Sequence, residues 1–214
     1  MNDSIILRIS NALEHMKANS RNLSSLRQWT KKLKDVNDLI SNPNLSDKIN
    51  DVILSCEEAI TTSDLYEREG IISSQYKKTR AIMKSMIREE LEKLQNKIED
   101  KNIEDFCILR NNGYELVLKG SFDFCYYHEL EIVFRDVQFM ICPGQIFSVN
   151  NFRFANKDEI DEIIKFSEGY ETQGFVICLE HTLWNEKYYI IANEVETKWE
   201  TVKYYNEKEA YSNS

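Results

Sequence analysis

The chain has three histidines, and His128 and His181 are the ones whose positions suggest chemistry. Each continues the parity of an alternating apolar run: His128 with Leu130, Ile132 and Phe134, and His181 with Phe175, Ile177 and Leu179. In a strand, residues two apart share a face, so each imidazole is expected at the end of a buried row, at the rim of a sheet. If folding brings the two rims together, with Glu129, Glu180 or Cys125 beside them, they form a metal site, and a metal-assisted hydrolase using His128 and His181 becomes the enzymatic reading. The spacing does not demand it. HExxH, CxxC and HxH are all absent, so neither a metal nor a cofactor is expected. Cys125 and Cys178 each lie three residues before a histidine, a spacing that puts two strand side chains on opposite faces and spoils a Cys–His nucleophilic pair. His15 sits on a charged helix flank, where solvation is the expectation. No GxxxxGK[ST], GxGxxG or GxSxG sequence occurs, and no catalytic residue is assigned.

The aromatic residues point instead to contact. Phe122, Phe124, Tyr126 and Tyr127 cluster before His128, and Phe147, Phe152 and Phe154 form a second group. Most such rings belong in the core of a small sheet, but aromatic residues rimmed by acids also make protein-binding surfaces. Trp184, in the expected turn Thr182 to Glu186, is the strongest single candidate, because a hairpin rarely buries its own tip. Tyr126, Tyr127, Glu129, Glu131 and Glu180 complete the candidate partner-binding set.

These residues need elements to carry them. Over the first hundred positions apolar residues recur at three- and four-residue steps, the mark of amphipathic helices. Four are expected: Ser4 to Ala18 with Ser4 as N-cap; Leu23 to Ile40 after Asn22; a third capped by Ser46; and a long fourth over Ile71 to Lys101. The fourth makes a rod of about 45 Å, so its apolar stripe needs either the earlier helices or a second copy of the chain, a homodimer through the long helix. After residue 103 the period changes to two. Strands are expected over Phe106–Arg110, Tyr114–Lys119, Glu129–Arg135, Val137–Cys142, Phe175–His181 and Lys187–Asn193, with one helix over Lys157–Phe166. Asn111-Asn112-Gly113 suits a tight hairpin turn. The expected fold class is α+β: a helical domain over 1–103, a mainly antiparallel sheet domain covered by a helix over 104–205, and a frayed tail over 206–214.

Charge separates the halves. Residues 1–103 carry 17 basic against 16 acidic side chains and residues 104–214 carry 10 against 20, so the net −9 comes from the second half. Such a domain repels phosphate backbones and suits a basic protein partner. One basic stripe runs the other way, with Lys77, Arg80, Lys84 and Arg88 stepping along the long helix. It is read as a solvated face, with a nucleic-acid-binding regulator as the third alternative, weakened by the absence of interleaved aromatic residues. The five cysteines are scattered and odd in number, as in a chain that keeps free thiols. The longest apolar runs, such as Phe175 to Leu179, fall far short of the ~20 residues that cross a bilayer, and no signal peptide is evident, which makes the cytoplasm the expected compartment. Together these features favour an acidic, non-enzymatic interaction module. Bacterial immunity or antitoxin proteins are one functional class that such a binder would serve.

Overall fold

A computed structural model describes residues 5–166 and 174–204 and shows an α+β protein. It divides into two compact units, residues 1–85 and 86–214, with the boundary inside the long helix α4. The expected cap Ser4 and the tail over 206–214 lie outside the described residues.

In the first unit, α1 (Ile5–Ala18), α2 (Leu23–Asn37), α3 (Pro43–Thr61) and the start of α4 (Leu65–Lys101) enclose one core. Its centre is Ile9, Leu13, Met16, Leu26, Leu33, Val52, Cys56 and Ile72, the residues of the apolar stripes. Polar side chains start the helices. Asn22 Oδ1 accepts from the Ser25 amide, Asn42 Oδ1 from the Leu45 amide, and Asp64 Oδ1 from the Tyr66 and Glu67 amides. Each satisfies amides that have no partner within the first turn. Two expectations change here. The third helix begins at Pro43 under the Asn42 cap, with Ser46 already inside it, because proline at the first position needs no amide partner. The fourth begins at Leu65, six residues before Ile71, where Asp64 supplies the cap. Arg68 is buried and donates to the carbonyls of Ala59 and Thr62, closing the end of α3.

The second unit holds two antiparallel sheets where one was expected. The five-stranded sheet runs β5 (Phe147–Ser148), β1 (Asp105–Asn111), β2 (Glu115–Ser121), β3 (Tyr127–Arg135), β9 (Glu194–Lys203). The four-stranded sheet runs β4 (Phe139–Ile141), β8 (Glu186–Ala192), β7 (Phe175–His181), β6 (Asn151–Phe154). Leu116, Leu118, Ile132 and Phe134 of the first sheet share a core with Ile177, Leu179, Ile190 and Ala192 of the second. The end of α4 adds Ile87, Leu91, Leu94 and Ile98, and it touches an edge strand of each sheet: Glu90 accepts from Thr197 of β9, and Gln95 accepts from the Phe152 amide of β6. On the other face of the four-stranded sheet, Val176, Cys178 and Ile191 pack with Ile160 and Ile163 of α5 (Lys157–Phe166). Burial on both faces explains why Val176 to Leu179 reads as a continuous apolar run. In the β1–β2 turn Gly113 takes the positive φ (83°), and Asn112 Oδ1 accepts from the Tyr114 and Glu115 amides. Gly120 admits a close approach, since a Cβ there would meet the Phe106 ring at 2.8 Å.

Candidate interaction site

Trp184 stands in the turn that joins β7 to β8. The turn closes through the Trp184 amide, which donates to the His181 carbonyl (3.2 Å), and through Asn185, an amide residue that tolerates its φ of 55°. The indole lies flat on the His181 imidazole, with centroids 3.9 Å apart and planes within 12°. His181 is buried, and its Nδ1 has no hydrogen-bond partner among the described residues. Trp184 is nevertheless 61% exposed, as are its neighbours Leu183 (83%) and Ile146 (58%).

A cleft of about 510 Å³ opens between this turn and the β4–β5 loop. Gly144, Ile146, Phe147, Trp184, Glu186 and Tyr188 form most of its wall. The Tyr188 hydroxyl donates to Glu186 (2.8 Å), and the Tyr188 ring meets Phe147 edge to face at 5.0 Å. Burial, reinforced by the Glu186 carboxylate, pushes the Tyr188 hydroxyl up to about 12, so it remains a phenol that fixes the carboxylate's orientation. The cleft thus combines an indole face, a tyrosine ring and one oriented carboxylate. That combination suits a cationic side chain.

The other expected residues fall elsewhere. Tyr126 and Phe122 are both exposed, and Tyr127 is half-buried at the start of β3. The three remaining acids of the set have internal partners: Glu129 with Lys101 (3.0 Å), Glu131 with His128 (3.4 Å), and Glu180 with Asn151 and Arg153. Glu186, which carries the cleft's charge, was missing from that set, although its place next to the Trp184 turn is a signal the sequence offered. The two histidines lie in different sheets with different partners, His128 meeting Tyr204 and Glu131 while His181 stacks with Trp184. In the basic stripe, Arg88 lies over the Phe154 ring at 5.9 Å, and Lys77 and Lys84 are exposed.

One group of potential metal ligands, Glu159, Cys178 and Glu180, has its donor atoms within 4.8 Å of one another. Those carboxylates are already engaged. Arg153 donates to both oxygens of Glu159 (2.8 Å each) and to Glu180 (2.7 Å), and Lys187 donates to Glu159 (2.9 Å). Arg153 and Lys187 hold the Glu159 carboxyl far below the usual carboxylate range, while burial pushes the Cys178 thiol up to about 11. Two cations against two carboxylates and a neutral thiol make a closed ion network with no role left for a metal.

No protein family, curated protein or solved structure matches this chain.

Proposed function

We propose that the chain is an interaction module that binds a basic protein partner, and that a lysine or arginine side chain of the partner enters the cleft between Trp184 and Tyr188 to meet Glu186. The observation that carries this reading is the exposed indole held flat by its stack on His181. An anchor already fixed in its bound orientation loses little freedom on association, and tryptophan is the residue that most often dominates an interface. The excess of 20 acidic over 10 basic residues after position 103 supports it, because a field of that sign steers a basic partner inward. A cytoplasmic immunity- or antitoxin-type role, in which an acidic protein masks a basic one, fits the same chemistry. The test is calorimetric titration of the full chain with a short lysine- and arginine-rich peptide. Binding should weaken with added salt, and Trp184→Ala and Glu186→Gln should each weaken it by about tenfold, the loss expected of interface anchors. Undiminished binding by Trp184→Ala, or equal affinity for a glutamate-rich peptide, would refute the reading.

A further inference from the structure

Four side chains at one end of β3 form a hydrogen-bonded series that the cleft does not use. His128 Nδ1 is 3.2 Å from the Tyr204 hydroxyl, His128 Nε2 is 3.4 Å from Glu131 Oε1, and Lys119 Nζ is 3.0 Å from the same hydroxyl. With the imidazole proton on Nε2, the donors fall in one order. Lysine only donates and a carboxylate only accepts, so Lys119 donates to Tyr204 Oη, the Tyr204 hydroxyl donates to His128 Nδ1, and His128 Nε2–H donates to Glu131. Every link then points the same way, and in this tautomer His128 offers its bare nitrogen to a phenol proton.

His128 and Glu131 meet although β3 keeps its alternation around them. Strict alternation would put His128 and Glu131, three apart, on opposite faces. Opposite them the register between β3 and β9 shifts, His128 pairing with Val202 whereas Leu130 pairs with Trp199, so that β9 contributes an extra residue. An irregularity of this kind re-aims the strand that carries the extra residue, here β9 on its way to Tyr204. Past the shift, the Tyr204 amide donates to the Tyr126 carbonyl (2.9 Å), which holds the phenol beside His128. His128 is 4% exposed and Tyr204 is 38% exposed, so the base is sheltered beside a tyrosine that is itself open to solvent in part.

We propose that Tyr204 is a modification site whose hydroxyl accepts an acyl group from an activated ester. Tyr204 Oη bonds to the carbonyl carbon, and its proton passes to His128 Nδ1. The bond from that carbon to the leaving oxygen breaks, and the departing oxygen takes the proton from His128, which leaves an aryl ester on Tyr204 and a free alcohol. No oxidant, reductant or further reactant is needed. Lys119 holds the negative charge that develops on Oη, and Glu131 orients the imidazole and holds the positive charge it acquires, so Glu131 is a positioning residue.

The full chain treated with p-nitrophenyl acetate and digested for mass spectrometry tests this directly. Tyr66 and Tyr126 are more exposed (82% and 63%) and serve as internal references. Acetylation of Tyr204 should outpace both by at least about tenfold, a modest share of what a positioned base supplies. His128→Gln should abolish that advantage together with the solvent deuterium isotope effect on the rate, and Glu131→Gln should reduce it partly; circular dichroism confirms that each variant is folded. Acetylation of Tyr204 no faster than of Tyr66, or capture of the acyl group by Lys119 instead, overturns the proposal. So does an undiminished rate in folded His128→Gln.

Discussion

The two units place their ion pairs differently. In the helical unit the ion pairs are superficial: in Arg21–Glu69 the arginine is 73% exposed, and both partners of Lys78–Asp51 face solvent. In the sheet unit charges sit inside the structure. Glu159 is 8% exposed beneath Arg153 and Lys187, and Arg135 is 15% exposed among Glu115, Glu194 and Glu196. Surface pairs contribute little, because solvent screens them and ordering the side chains costs entropy. A sunken pair is different. Whatever its net contribution, removing one member strands the other in a poorly solvated place. The helical unit therefore rests on its apolar stripes, whereas the sheet unit depends on charge balance as well.

The largest expected effect tests this contrast at one residue of each unit. Arg153→Ala leaves Glu159 and Glu180 with only Lys187 between them, and should cost about 3 kcal/mol in a denaturant melt. Arg21→Ala removes a single contact to Glu69 at a solvated site and should cost less than about 0.5 kcal/mol. Similar losses from the two would break the contrast. Acid provides a second, smaller test. The Glu115, Glu159 and Glu180 carboxyls are held below their ordinary value, chiefly by hydrogen bonds from Arg110 for the first and Arg153 for the other two. A carboxyl depressed on folding contributes stability that is complete above its unfolded value of about 4.3 and is lost as pH falls below it. Hydrogen exchange at pH 3 should therefore show protection falling in β6, α5 and β8 relative to pH 6, while α1 to α3 keep theirs. Uniform loss in both units would show that the sunken carboxylates do not decide acid stability.

Much of the fold could be read from the sequence, for identifiable reasons. The bounds of α5 and β7 match the expected ranges because each has a strong period or apolar run and clear flanks. Strand β9 was missed although Val195, Thr197 and Trp199 alternate with Glu194, Glu196 and Lys198, a signal as regular as that of β3. Strand β5 left no local trace, being two residues defined only by pairing with Asp105 and Phe106. The same division applies to the sites. The exposure of Trp184 could be read because a tip residue is exposed wherever its hairpin lies. The engagement of Glu180 could not, since Arg153, Glu159 and Lys187 come from β6, α5 and β8 and meet only after the sheet has formed. Nor could the meeting of His128 with Glu131, which accompanies a register shift that no periodicity announces.

The smallest expected effects distinguish the units most sharply, because they test additivity and not magnitude alone. Asn22 and Asn42 each cap one helix, and Ala at either should cost about 1 kcal/mol. The two caps belong to opposite ends of the 15-residue α2 and its successor, separated by roughly 22 Å of helix, so the double variant should lose the sum of the single losses. Asn156 also caps a helix, α5, but its cap is shared. Asn156 Oδ1 accepts from the Glu159 amide while Glu159 Oε2 accepts from the Asn156 amide, and that same oxygen accepts from Arg153. Ala at 156 keeps that amide but removes the Oδ1 that holds the Glu159 backbone, and Arg153→Ala removes the hold on the Glu159 carboxylate, so the second removal finds Glu159 already displaced. Asn156→Ala with Arg153→Ala should therefore fall short of additivity by about 1 kcal/mol in a double-mutant cycle, while the Asn22 and Asn42 cycle closes. An additive result for Asn156 and Arg153 would mean that the helix cap and the buried ion network, though they share an atom, act independently.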